Sequence, residues 1–250
     1  MTIRTASVPL GADFNRAFEL LLADVAPIRQ RTQAIRTQLY GDVPDDADSA
    51  ATQVVDCLLR HRVSGIDAGC VSLVFPRADG GGLPFERFGL RYIDRSLLDW
   101  RRLEPGHCCE ISRLAVSSRF RRRPGERDSA AGVTEYPDDD SFTRRRFPFI
   151  ALTLYHAAVA LVLQRGYHHV FMAIEPRLQR HLQRHGISVR QISPVFEEEG
   201  QARAVYVTTA AELQAEIEHW GPDLKGLYSI VHTQLLGCSP RISATRTPRL

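Results

Sequence analysis

One stretch constrains this chain more than any other: Phe149 to Arg165 (FIALTLYHAAVALVLQR), stopped by Gly166 and followed almost at once by HVFMAI (169–174) and Glu175-Pro176. The spacing predicts a long helix ended by glycine, then a buried strand, then a helix with proline in its first turn, where the missing N–H costs nothing. Gly186 closes that second helix. Thr153 and His156 interrupt the apolar run, which falls short of the roughly 20 residues that a membrane-spanning helix needs. Both apolar runs read as core.

The rest of the chain supplies more sheet. Residues 54–62 and CVSLVFP (70–76) flank VSGIDAG, which reads as the turn of an antiparallel hairpin. An apolar segment, FELLLA (18–23), precedes Asp24, a candidate cap for a helix carrying Ile28, Ile35 and Leu39 on one face. Residues 83–106 are mixed and partly helical around YIDRSLLDW, and EISRLAV (110–116) alternates as a strand. After it comes a long polar stretch, 117–147, of the kind that is functional or disordered when found inside a domain. SVRQISPVF and ARAVYVTT read as strands, and Ala210 to Trp220 as an amphipathic helix. The expected architecture is α+β, one mixed, mainly antiparallel central sheet flanked by helices. A single domain over 14–236 is expected, with a flexible N-terminus (1–13) and a basic, disordered tail (237–250).

Charge excludes more than it suggests. The 250 residues carry 32 basic and 29 acidic side chains, a formal charge of +3, and Lys225 is the sole lysine. Arg241, Arg246 and Arg249 in the acid-free tail account for that +3, so residues 1–236 sum to zero. Such a chain is no uniformly basic nucleic-acid binder. The 5 cysteines (57, 70, 108, 109 and 238) form no C-x-x-C pair, against a disulfide framework or a structural zinc site. No apolar signal segment is read at the N-terminus, so the expectation is a cytoplasmic chain, with surface contact to a membrane left open.

The strand 110–116 holds a charged pair in a run that otherwise reads as core, and buried charges need partners. Alternation puts Glu110, Ser112 and Leu114 on one face and Ile111, Arg113 and Ala115 on the other, unless a bulge resets the register. From spacing alone the pair is equally a structural ion pair or a site.

With its continuation, EISRLAVSSRFRRR resembles the signature of the acyltransferases associated with PEP-CTERM/exosortase systems, relatives of the acyl-homoserine-lactone synthases and the N-acyl amino acid synthases. In that group an E-x-S-R-[FL] motif sits on a central strand of a GNAT-like fold. Other pieces agree in order: FNRAFEL (14–20), Arg36 with Tyr40, CLLRHRVSG before GCVSLVFP, LPFE (83–86), a helix ending Arg165-Gly166, and AIEPRLQRHLQRHGI (173–187). The likeness spans roughly residues 14–210.

The resemblance implies transfer of a long-chain fatty acyl group from a phosphopantetheine thioester to the amine of an amino acid or similar small molecule, by direct attack. No bound cofactor or metal is implied; the acyl-phosphopantetheine, on an acyl carrier protein or on CoA, is a co-substrate. Glu110 becomes the candidate base, with Ser112 beside it and Arg113 as carboxylate binder, orienter of Glu110, or both. Backbone N–H groups from Leu114 to Ser117, taking in Val116, become candidate oxyanion donors. Arg36, Tyr40, Ser72, Leu114, Val116, Phe171 and Glu175 are candidate substrate-binding residues.

The chain departs from the pattern where related sequences carry arginine within G-x-V-R-L, since Ser72 stands there, and where Thr37 replaces an aromatic residue. Asp45, Asp46 and Asp48 match the family's acidic loop only loosely. The turn RRRPGERDS lacks the glycine-rich pyrophosphate loop of CoA-dependent relatives. An acidic carrier protein docking on Arg119, Arg121, Arg122, Arg123, Arg144 and Arg145 fits it better. The alternatives are a CoA-dependent GNAT acetyltransferase and a catalytically silent acyl-chain-binding protein. His181 and His185 lack the glutamate of H-E-x-x-H and read as a solvated face; Cys108 and Cys109 read as buried small hydrophobes.

Overall fold

The computed structural model describes residues 10–22, 26–41, 52–76, 82–87, 89–98, 103–120, 149–198 and 200–238. In chain order these form α1 (Leu10–Ala17), β1 (Phe18–Leu22), α2 (Ala26–Tyr40), β2 (Thr52–His61), β3 (Asp67–Pro76), β4 (Cys108–Val116), α3 (Ile150–Arg165), β5 (His169–Ile174), α4 (Pro176–Arg184), β6 (Arg190–Gln191), β7 (Phe196–Glu198), β8 (Gln201–Thr209), α5 (Ala210–His219) and α6 (Pro222–Cys238). The strands make one sheet in the order β1-β2-β3-β4-β5-β8-β6, with β7 also paired to β8. Among the described strands β4–β5 is the parallel pair, bridged by α3 as a βαβ crossover, and the other pairs are antiparallel. The architecture is α+β, a mainly antiparallel sheet flanked by helices.

The two faces of the sheet are unlike. On one, a single apolar core joins β1 (Phe18, Leu20), β3 (Val71, Leu73), β5 (Val170, Met172) and β8 (Ala204, Tyr206) to α1, α3 and α6. Residues Ile150 to Val162 of α3 are all buried, which explains a helix apolar on every side. Gly69 is required where α3 and β4 close on β3: a Cβ there would stand 2.5 Å from the Ala115 carbonyl oxygen and 2.9 Å from Leu154 Cδ1. On the other face the apolar residues fall into two smaller clusters.

Strand β4 changes face midway. Cys70 pairs with Ala115 but Ser72 with Ser112, so β4 carries one extra residue there, and Arg113 takes φ +54°. This is a β-bulge. Cys109 and Ile111 precede it in the large core, and Leu114 and Val116 rejoin that core after it. Strict alternation is therefore corrected: Leu114 lies on the face of Ile111, opposite Glu110.

Helix boundaries at 150–165 and 176–184 agree with the sequence expectations, and Gly166 and Gly186 take the left-handed conformation that ends them. Thr209 and Glu212 form a capping box at α5. Two helices were not expected, α1, which begins within the stretch read as flexible, and α6. The described residues between β3 and β4 form 3-10 turns at Pro84–Arg87, Leu90–Tyr92 and Pro105–His107, because prolines and Gly89 break longer helices. Helix α6 covers the outer edge of β1. Gln234 Oε1 accepts the Leu20 N–H at 2.8 Å, while its Nε2 donates to Asn15 Oδ1 (2.9 Å) and the Phe18 carbonyl (3.4 Å). No described helix is long and apolar enough to cross a membrane.

His156 is wholly buried in α3, its ring stacked on Trp220 at 4.6 Å, and neither ring nitrogen has a hydrogen-bond partner among the described residues. Burial, with a smaller effect from His185, lowers its pKa to about 3. Above the unfolded-state value of 6.5 the ring is neutral in both states, so folding is unpenalised. Below it the unfolded chain takes a proton that the folded chain refuses, and stability falls down to about pH 3. His156→Phe is expected to flatten this acid limb, which falls by roughly 1.4 kcal/mol per pH unit, as urea denaturation between pH 7 and 4 would measure.

Candidate active site

Strands β4 and β5 are paired from Cys108↔His169 to Glu110↔Phe171 and no further. Beyond Glu110 they part, β4 continuing along β3 and β5 along β8. The parting opens on the face where the apolar residues are divided. One cluster (Ile35, Leu58, Cys70, Ala115) lies between α2 and the sheet; the other gathers Phe85, Cys108, Phe171, Val205 and Val207. Parallel strands that diverge leave a wedge between them, and here polar groups from several elements border it.

Glu110 stands where the strands separate, 1% exposed. Its Oε2 accepts the Phe85 N–H at 2.8 Å, and its carboxyl is hydrogen-bonded by the Ser112 side chain. Burial raises its pKa, opposed by these two bonds and by the charges of Arg113 and Arg203, and the outcome is about 7. The Phe85 donor is held firmly. Glu86 Oε1 accepts the Leu83 N–H at 2.6 Å to close the turn, and the Phe85 ring stacks on Phe171 at 4.8 Å. Arg113 sits at the bulge in a conformation that costs a non-glycine residue of order 1 kcal/mol, and it persists because β3 pins the strand on both sides. A carboxyl that is half-ionised near neutrality, in a dry site with fixed donors, can accept a proton and return it.

The structure brings Arg36 and Ser72 together, around a residue not singled out in the sequence. Arg36 Nη2 donates to Asp56 Oδ1 and to Ser72 Oγ, both at 2.5 Å, Ser72 Oγ donates to Asp56 Oδ1 at 2.7 Å, and Thr32 Oγ1 donates to Asp56 Oδ2 at 3.1 Å. All four side chains are buried. The network ties α2 to β2 and β3. Tyr40, on the last turn of α2, donates its hydroxyl to the Leu114 carbonyl at 3.1 Å, and burial raises its phenol pKa. Glu175 precedes α4 and pairs with Arg177 Nε at 2.5 Å.

Other expectations change. Leu114 and Val116 face the large core behind the sheet, so their side chains do not line the wedge. The Ser117 N–H, a candidate oxyanion donor, is spent on the Ala68 carbonyl at 2.9 Å. Arg119 is exposed in the turn after β4; Arg121, Arg122, Arg123, Arg144 and Arg145 lie outside the described residues, as do Asp45, Asp46 and Asp48. Cys108 and Cys109 are buried free thiols on opposite faces, and burial raises both, Cys108 to about 11. His181 and His185 rings meet edge to face at 4.8 Å, and the described residues hold no group of three or more His, Cys, Asp or Glu suited to a metal ion. Asp56 had a signal that could have found it: an acid amid the apolar run VVDCLL must be partnered. Arg203 and the Phe85 N–H had none, since their approach to Glu110 depends on the fold.

No protein-family model matches the sequence, and no curated protein matches it. Solved structures do. FeeM, an N-acyl amino acid synthase from uncultured soil microbes, aligns with a TM-score of 0.54 at 14% identity, covering 80% of this chain and 94% of its own. TofI, in a ternary complex with an inhibitor and MTA, aligns with a TM-score of 0.53 at 17% identity, over 82% of this chain and 99% of its own. The AHL synthase LasI aligns with a TM-score of 0.50 at 14% identity, over 77% and 89%. At these identities the likeness is one of fold.

Proposed function

We propose that this protein is an N-acyltransferase that moves a long-chain fatty acyl group from an acyl carrier protein thioester to the amine of an amino acid or similar small molecule. The observation that carries this reading is Glu110, a buried carboxyl with its pKa raised to about 7, at the point where β4 and β5 part. The names of FeeM and LasI, both synthases on this fold, support it, as does the E-x-S-R-L motif through which the chain resembles acyltransferases of PEP-CTERM/exosortase systems.

In this mechanism the amine nitrogen attacks the thioester carbonyl carbon. Glu110, directly or through one water, takes the proton that the amine must lose. The C–N bond forms, the C–S bond breaks, and the leaving thiolate takes the proton that Glu110 received, which returns the carboxylate to its starting form. Ser112 and the Phe85 N–H hold the carboxyl in place, and Arg113 stabilises its ionised form. The apolar cluster around Phe85 and Phe171 gives the wedge a wall suited to an acyl chain. The reaction runs in the cytoplasm without a resident cofactor.

The test mixes the protein with carrier-bound acyl thioesters and a panel of amino acids and seeks N-acyl products by mass spectrometry. Products from carrier thioesters, with free CoA unable to compete, are the expected result. Absence of product with every acceptor, or equal use of acetyl-CoA, overturns the reading.

A further inference from the structure

We propose that Glu86 is a positioning residue for the base, its carboxylate closing the turn that aims the Phe85 N–H at Glu110; the kinetic consequence rests on the acyl-transfer reading above. The turn Pro84–Arg87 has few donors to give. Pro84 has no N–H. The Glu86 N–H goes back to the Leu83 carbonyl at 3.0 Å, and the Leu83 N–H goes forward to Glu86 Oε1 at 2.6 Å. Leu83 and Glu86 are thus tied twice, the second time as in the glutamate half of a capping box. Of the two residues they enclose, only Phe85 has an N–H left, and it meets Glu110 Oε2 at 2.8 Å.

Two anchors hold that donor. The Phe85 ring is buried and stacked on Phe171, which itself pairs with Glu110 across the β4–β5 ladder. The ring fixes where Phe85 lies, and the turn fixes where its N–H points. The Glu86 carboxylate fills space that Gly82 leaves: a Cβ on Gly82 would stand 2.9 Å from Oε2 and 3.2 Å from Oε1. Glu86 acts through the turn rather than by its charge. The groups that act on Glu110 are the Phe85 N–H, Ser112, Arg113 and Arg203, whereas the charge of Glu86 acts on the Cys108 thiol and that of Glu110 on Cys109. Burial raises the pKa of the half-buried Glu86, opposed by its bond to Leu83. A donor to the ionised carboxylate favours ionisation, so slackening the turn makes Glu110 a base only at higher pH.

An NMR titration of the side-chain carboxyls in the full chain reads Glu110 directly, with Glu110→Gln to assign its signal, and pH–rate profiles read its effect on turnover. Two variants slacken the turn by different routes: Glu86→Ala removes the carboxylate, and Gly82→Ala pushes it aside. Both are expected to raise the Glu110 midpoint by about one pH unit, part of the worth of a hydrogen bond to a charged group. With that rise, kcat/KM is expected to fall about 10-fold a unit below the wild-type midpoint and to recover at high pH, where the base is ionised in every variant. Glu86→Gln keeps an oxygen for the Leu83 N–H and is expected to leave midpoint and profile as they are. A midpoint unmoved by both alanine variants, a loss of activity equal at every pH, or a glutamine variant that behaves like alanine overturns the proposal. A midpoint that moves as expected in a protein that transfers no acyl group to any acceptor would instead overturn the acyl-transfer reading and leave the positioning role standing.

Discussion

Glu110→Gln is expected to lower kcat/KM by about 10²- to 10⁴-fold, the range for a positioned general base, while making the folded protein more stable at pH 8. Both effects come from the same burial. Below the ordinary value of 4.5 the carboxyl is protonated folded and unfolded, so it carries no electrostatic cost. Between 4.5 and about 7 the unfolded chain releases a proton that the folded chain keeps, and above 7 the cost of holding the charge in a dry site is complete. Glutamine removes that cost and keeps an oxygen for the Phe85 N–H. A gain on the order of 2–3 kcal/mol at pH 8, absent at pH 4, follows from the size of the shift. In the wild type, kcat/KM rises with pH through about 7, because the ionised form is the base. Chemical denaturation at the two pH values and a pH–rate profile check each limb. A variant less stable at pH 8 would mark Glu110 as a structural group.

The second large effect concerns Asp56. Replacing it by alanine removes the carboxylate that faces the buried Arg36 guanidinium beside Ser72 and Thr32, and the expected loss of stability is about 3–5 kcal/mol. Arg36→Leu with Asp56→Leu removes both charges and is expected to cost far less, since desolvation of the ions disappears with them. Thermal unfolding of the single and double variants measures the difference. An Asp56→Ala protein as stable as the wild type would show that water reaches this network. Because the same helix carries Tyr40 to the Leu114 carbonyl, loosening α2 also disturbs β4 just beyond its bulge.

Much of the frame was legible in the chain. The β2–β3 hairpin, α3 with Gly166, β5, and the Pro176 start of α4 are local features, written in turn residues and in periods of two or 3.6. The candidate base was legible for a related reason: an acid inside EISRLAV needs an explanation wherever that strand lies. What escaped depends on long-range pairing. The extra residue in β4 shows only against β3, and it is what separates Leu114 from the face of Glu110 on which simple alternation places it. Arg203 influences Glu110 through β8's position beside β5, a pairing that no local pattern encodes. Helix α6 has no clear sequence signal because Gly226, Ser229 and Thr233 blur its apolar stripe, and packing on α1 and α3 makes up for that weak propensity.

The side-chain amide of Gln234 has a consequence for the open edge of the sheet. By accepting from Leu20 and donating to Phe18 it imitates the peptide group of a neighbouring strand, filling bonding positions that a second molecule's strand would otherwise occupy. The segment it guards, FELLL, is short and mostly apolar, the composition that propagates sheets from chain to chain. Helix α6 is thus a guard against self-templating as well as a layer of the core. Losing its last turns would expose a sticky border long before the interior came apart.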